Sequence, residues 1–207
     1  MQDRRHTRRA VSRWSAVGIT ILAVAVISAC GKMNTTGRSS SYLLIDVLQG
    51  ASGAKPDTFS TVVQSDVQTK GGIFEDPGKV TMHIALKDPG TPSVPSSPSS
   101  ANSVTVTSYH VVFRRSDGRN TQGVDVPFAF DGAATGTINA TGSSLVFVLV
   151  RAQAKLESPL SELRGVGGAF IISTLADVTF YGQDQNGNQV SVTGTISVNF
   201  ADWADPA

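Results

Sequence analysis

From residue 42 to residue 200, apolar positions recur at every second residue far more often than at helical spacing. Val80, Met82, Ile84 and Leu86 share one parity, with Thr81 and His83 on the other. Period two is the mark of a half-buried antiparallel strand. The longest such run places Val190, Val192, Ile196, Val198 and Phe200 between Ser191, Thr193, Thr195, Ser197 and Asn199. Upstream lie Phe170 to Tyr181 and then the turn Gly182-Gln-Asp-Gln-Asn-Gly-Asn188. Asn and Gly tolerate the backbone angles of tight turns, so the pattern predicts an antiparallel hairpin. Between Val104 and Arg115 the parity slips. Val104 and Val106 fall on one side, Tyr109, Val111 and Phe113 on the other. A bulge near Thr107-Ser108 turns both sets inward.

Four further strands are expected. Tyr42 to Leu48 carries Leu43, Ile45 and Val47 on one side, and Thr61 to Val67 is a second strand. Val124 to Phe130 alternates around Pro127, which donates no backbone hydrogen bond and so predicts an edge strand. Leu145 to Val150 is apolar on both parities, as in a strand covered on both faces. One short helix is predicted, with Ser158 as cap, Pro159 at its first position and Gly165 as its stop, crossing between sheets. Asp88 to Ser103 (DPGTPSVPSSPSSANS) is too rich in Pro and Ser for a central strand and reads as a mobile surface excursion. About eight strands, turns between nearly all of them and no internal repeat give an all-β, antiparallel β-sandwich over residues 42–207. This arrangement is similar to immunoglobulin-like and fibronectin-like domains of bacterial envelope proteins. It departs from them in having no bridging cysteine pair and no central tryptophan, since Trp14 and Trp203 lie near the two ends. The resemblance implies architecture and not activity.

The start of the chain follows another logic. Arg4, Arg5, Arg8, Arg9 and Arg13 precede an uncharged, mostly aliphatic run from Ala16 to Ala29. A cationic start, a short apolar stretch and small residues before a cut site make a secretory signal, too short for a comfortable membrane span. The arginine pairs lack the apolar pattern that should follow a twin-arginine signal, which favours the general secretory route. Ile27-Ser28-Ala29-Cys30 resembles the lipobox of bacterial lipoproteins. That resemblance implies cleavage between Ala29 and Cys30, a diacylglyceryl group on the Cys30 thiol and acylation of the new amino group. Several acyl chains, at about 0.8 kcal/mol per buried CH2, hold a protein to lipid effectively permanently. The organisation expected is therefore a signal peptide over 1–29, a lipidated flexible tether over 30–41 and the sandwich. As a whole the chain is similar to small envelope lipoproteins. The expected location is the exported face of the cell envelope. Gly31, standing where an Asp resembles an inner-membrane retention signal, favours the outer membrane of a diderm cell.

Charge changes the picture only after processing. Removing residues 1–29 takes five of the 17 Lys and Arg and one of the 16 acids, leaving a net charge near −3. No basic field remains for nucleic acid. Cys30 is the single cysteine, so the processed chain can form no internal disulfide and relies on burial.

Candidate chemistry is sparse. After processing two histidines remain, His83 and His110, each alone in its strand without a second ligand at metal spacing. No serine sits in a G-x-S-x-G context. Asp184, Asn186 and Asn188 occupy alternate positions, as oxygen ligands of a calcium loop do, but the twelfth position is Thr195 rather than an acid. Arg114, Arg115, Asp117 and Arg119 form the densest charge cluster, readable as a partner-docking tip or as a solvated hairpin end guarding a sheet edge. Tyr181 and Trp203 are candidates for an aromatic, sugar-binding surface. The functional expectation is a non-enzymatic module without cofactor that binds an envelope protein or helps build a surface assembly. The alternative is a carbohydrate-binding module, with or without calcium.

Overall fold

The computed structural model describes residues 37–203. The signal peptide and the lipobox, Ala29 and Cys30 included, lie outside the described residues. Ten strands follow in order: β1 (Ser41–Gly50), β2 (Val62–Asp66), β3 (Asp76–Leu86), β4 (Gly90–Thr91), β5 (Val94–Pro95), β6 (Val104–Arg114), β7 (Phe130–Ile138), β8 (Ser143–Val150), β9 (Ile172–Asp184) and β10 (Gln189–Ala201). Eight of them build a three-stranded sheet, β1-β3-β8, and a five-stranded sheet, β2-β10-β9-β6-β7. The pairings are antiparallel except that β2 runs parallel to β10. The fold is an all-β sandwich. The first strand lies beside β3 and the last beside both β9 and β2.

The inward parities of both sheets meet in one core. Val80, Met82 and Ile84 face Val104, Val106, Val111, Val178, Phe180, Ile196, Val198 and Phe200, all nearly or fully buried. Tyr109, Phe147 and Phe180 form its aromatic centre, with edge-on ring centroids 5.1 and 5.2 Å apart for the two contacts of Phe147. Such pairs add about 0.5–1.5 kcal/mol beyond their buried area. Tyr109 on β6 thus takes the central aromatic place that the sequence offers no tryptophan to fill, and its hydroxyl accepts the Val148 N–H at 3.1 Å.

The hairpin β9–β10 and the bulge between Val106 and Ser108 are as the alternation predicts. Other elements differ. The edge strand expected over Val124 to Phe130 is a compact turn in which the N–H groups of Val124, Asp125 and Val126 all reach the Thr121 carbonyl. The edge strand of that sheet is instead β7, FDGAATGTI. Its inward row, Phe130, Gly132, Ala134, Gly136 and Ile138, is emptied at two places, because a Cβ at Gly132 would meet the Tyr109 ring and one at Gly136 the Leu145 side chain. In β1 the register shifts between Ile45 and Val47, so Leu43 and Leu48 are buried while Val47 faces solvent. β8 is an edge strand whose Val146 is exposed, and it is covered on both faces only toward Val150. The predicted helix is two 3-10 turns, Ala152–Leu156 and Leu160–Leu163, crossing between the sheets. Three residues per turn carry Leu160 and Leu163 onto the same, core-facing side, which suits this span better than an α-helix. Within Asp88 to Ser103 the short hairpin β4–β5 and a 3-10 turn at Ser100–Asn102 interrupt the loop.

Candidate functional site

The strand registers give the sandwich two ends. The chain enters at Ser41, beside Leu86, Val104 and the β9–β10 turn. Gly50, Asp76, Val150, Ile172 and Ala201 mark the other end, about 30 Å away along β1.

At the entry end residues 37–41 are fastened to the domain. Ser39 and Ser41 are buried, and the Ser41 hydroxyl donates to the Asn102 carbonyl at 3.1 Å. The Lys87 N–H reaches the Ser40 carbonyl at 2.9 Å, and Lys87 Nζ donates to the Gly37 carbonyl at 2.9 Å. The three residues of the calcium reading are also here, and they do meet. Asp184 Oδ1 accepts the backbone N–H groups of Asn186 and Asn188 at 2.9 Å each, and Oδ2 accepts Asn188 Nδ2 at 3.0 Å. Burial pushes this carboxyl up, but the Asn188 side chain and backbone, Ser39 and the Asn186 backbone outweigh it and hold the group below its ordinary value. The carboxylate is turned inward and occupied by N–H donors, which a cation would have to displace. It fastens the turn and the entering chain.

At the far end a cleft of about 760 Å³ opens between the turn after β1 and the segment before β3. Its lining includes Lys55, Gln64, Thr69, Lys70, Phe74 and Trp203. Phe74 stands 45% exposed, and the Trp203 Nε1 is buried with no hydrogen-bond partner among the described residues. The volume suits a small ligand, and apolar walls with a few polar groups are the usual composition of such sites. The cleft keeps its shape through Gly53, where a Cβ would strike the Glu75 carbonyl at 2.5 Å. Trp203 is fixed by its backbone N–H, which donates to Asp66 Oδ1 at 3.2 Å.

Directly beneath lies an ion pair that the sequence reading missed. Lys155, 1% exposed, reaches into the core from the first 3-10 turn and meets Asp76, 0% exposed, at the start of β3. Lys155 Nζ donates to Asp76 Oδ1 at 2.6 Å and to the Asp66 carbonyl at 2.8 Å. Gly53 N–H donates to the same Oδ1 at 2.7 Å, while the Ser65 hydroxyl donates to Oδ2. Burial pushes the Asp76 carboxyl above its ordinary value, against the charge of Lys155 and the donors around it. The only signal in the sequence was Lys155 between the apolar Ala154 and Leu156; Asp76, between Glu75 and Pro77, gave none.

The remaining candidates are dispersed. His83 Nδ1 pairs with Asp46 at 2.7 Å and His110 Nδ1 with Asp131 at 2.8 Å, on the outer faces of different sheets. Arg114 leaves the RRSDGR cluster to bind Asp177 across on β9, at 2.5 and 3.2 Å. Arg115 pairs with Asp117 at 2.6 Å and Arg119 with Asp125 at 3.1 Å, so each arginine of the tip has a carboxylate. Hydrogen bonding from Arg114 and Arg115 holds Asp177 and Asp117 below the ordinary carboxylate range. Tyr181 and Trp203 line different clefts at opposite ends, so the shared aromatic surface expected of them does not form. Phe74 is the aromatic that accompanies Trp203. Among the described residues no group of three or more His, Cys, Asp or Glu could hold a metal ion, and no helix is long and apolar enough to cross a membrane. No protein-family model matches the chain, and no curated protein matches it significantly.

Proposed function

We propose that the chain is an exported lipoprotein, anchored to the cell envelope through acylated Cys30, whose sandwich acts by binding an envelope protein or surface assembly rather than by catalysis. The observation that carries this reading is the placement of the cleft. It opens at the end of the domain opposite Ser41, where the sandwich is free of the entering chain. The anchor is tested by Cys30→Ser. The substituted chain should leave the membrane pellet and appear in the soluble fraction, and retention in the pellet at unchanged mass refutes the anchor. Mild cross-linking in native membranes tests the binding, and failure to recover a specific adduct counts against it.

A second reading has its own observation. Phe74 and Trp203, with a buried and unpartnered indole N–H, supply an apolar face and a donor of the kind that a sugar ring engages. Processing removes Trp14, so Trp203 is then the one tryptophan left. Titration of the processed protein with soluble peptidoglycan fragments and chito-oligosaccharides, with and without chelator, should shift its fluorescence. Silence across both conditions excludes the glycan reading.

A further inference from the structure

A buried ion pair is costly. Taking each charge out of water costs several kcal/mol, and only excellent geometry and further hydrogen bonds offset it. Lys155 and Asp76 have that geometry and something more. Their reacting groups touch in a space closed to solvent, where the product of a reaction between them is neutral. We propose that Lys155 and Asp76 condense into an intramolecular amide, Lys155 Nζ to Asp76 Cγ, that joins the crossover after β8 to the first residue of β3.

The parts are in place. The nucleophile is held by two acceptors, the Asp66 carbonyl at 2.8 Å and Asp76 Oδ1 at 2.6 Å. Positioning of this kind replaces an encounter in solution by a preorganised contact. Gly53 N–H on Oδ1 and the Ser65 hydroxyl on Oδ2 point at the oxygens where negative charge concentrates when the nitrogen adds to Cγ, as donors of an oxyanion hole do. In the dry interior a proton moves from the ammonium to the carboxylate along the short contact, giving a neutral amine beside a neutral acid. Burial already biases the carboxyl toward that form. The Nζ–Cγ bond then forms and the Cγ–Oδ1 bond breaks, while Oδ2 stays as the amide oxygen under the Ser65 hydroxyl. The departing oxygen takes the two protons shed by the nitrogen and leaves as water, with no change of oxidation state. The bond spans 79 residues and closes a loop in a chain whose single cysteine leaves no disulfide to do so.

The test is mass spectrometry of the denatured full chain and of its protease digest. The wild type should weigh one water less than its sequence, and the digest should contain one branched peptide joined at positions 76 and 155. Asp76→Asn should release ammonia instead and weigh one ammonia less than its own sequence. Lys155→Arg should return to full sequence mass, with the two peptides separate. A wild type at full sequence mass with separate peptides refutes the bond and leaves an ion pair. Because mass is read on unfolded chain, a variant that folds poorly still gives an answer.

Discussion

Each end of the sandwich buries an aspartate, and the two are solved in opposite ways. Asp184, at the entry end, is ringed by neutral N–H and hydroxyl donors from a four-residue turn and from the entering chain. Most of its partners are local, its carboxyl sits below the ordinary value, and the one distant donor, Ser39, is neutral. Asp76, at the far end, depends on a cation 79 residues away and on donors from the turn after β1 and from β2. Local donors make a fastening. A distant cation makes a keystone, because the crossover, β2, β3 and the cleft wall all hang on it. The comparison teaches that one end fastens the chain where it arrives with neutral donors, while the other ties the crossover, β2, β3 and the turn after β1 to one buried carboxyl.

The comparison can be broken at the keystone first. Lys155→Met removes both the cation that faces Asp76 and the amide it would form, and should cost at least about 3–5 kcal/mol in chemical denaturation; the double change with Asp76→Leu should recover only the part that comes from an uncompensated buried charge. Asp184→Ala should cost less, about 1–3 kcal/mol, since it orphans N–H groups at a partly buried turn. The pH dependence sharpens the contrast. The Asp184 carboxyl is held below its unfolded value, so the stability it contributes is present above the ordinary carboxylate range and is lost as pH falls below that range through the lowered native value. Asp184→Asn should therefore flatten the acid limb of a stability-against-pH curve, and a curve of unchanged slope contradicts that assignment. Smallest of all, Arg114→Ala on the exposed face should leave the denaturation midpoint nearly unmoved, because solvent screens such pairs.

What was legible in the sequence is what alternation records. The hairpin β9–β10, the alternation of Val80 to Ile84 and the slip at Thr107-Ser108 were all readable because one face of each strand is buried and the other is wet. β7 was hidden because its inward row is emptied by Gly132 and Gly136 to admit Tyr109 and Leu145, so the code is written in its neighbours. Val124 to Phe130 misled because its alternation belongs to a turn fastened by Thr121 and Asp125. The Lys155–Asp76 pair and the cleft were illegible for a different reason. They are made by distant segments meeting, and no local pattern announces that Trp203 will stand beside Phe74. The charged tip Arg114–Arg119 was visible as charge, yet the pairing of each arginine with an aspartate was not.

The claim beneath all of this is a division of labour, attachment at the end where Ser41 enters and recognition at the end where Trp203 lies. Photo-activatable phenylalanine analogues placed separately at Lys55 and at Asn186, irradiated in native membranes, test it most directly. A discrete adduct from position 55 and none from position 186 is the predicted result. Adducts from position 186 alone, or equal adducts from both, contradict it.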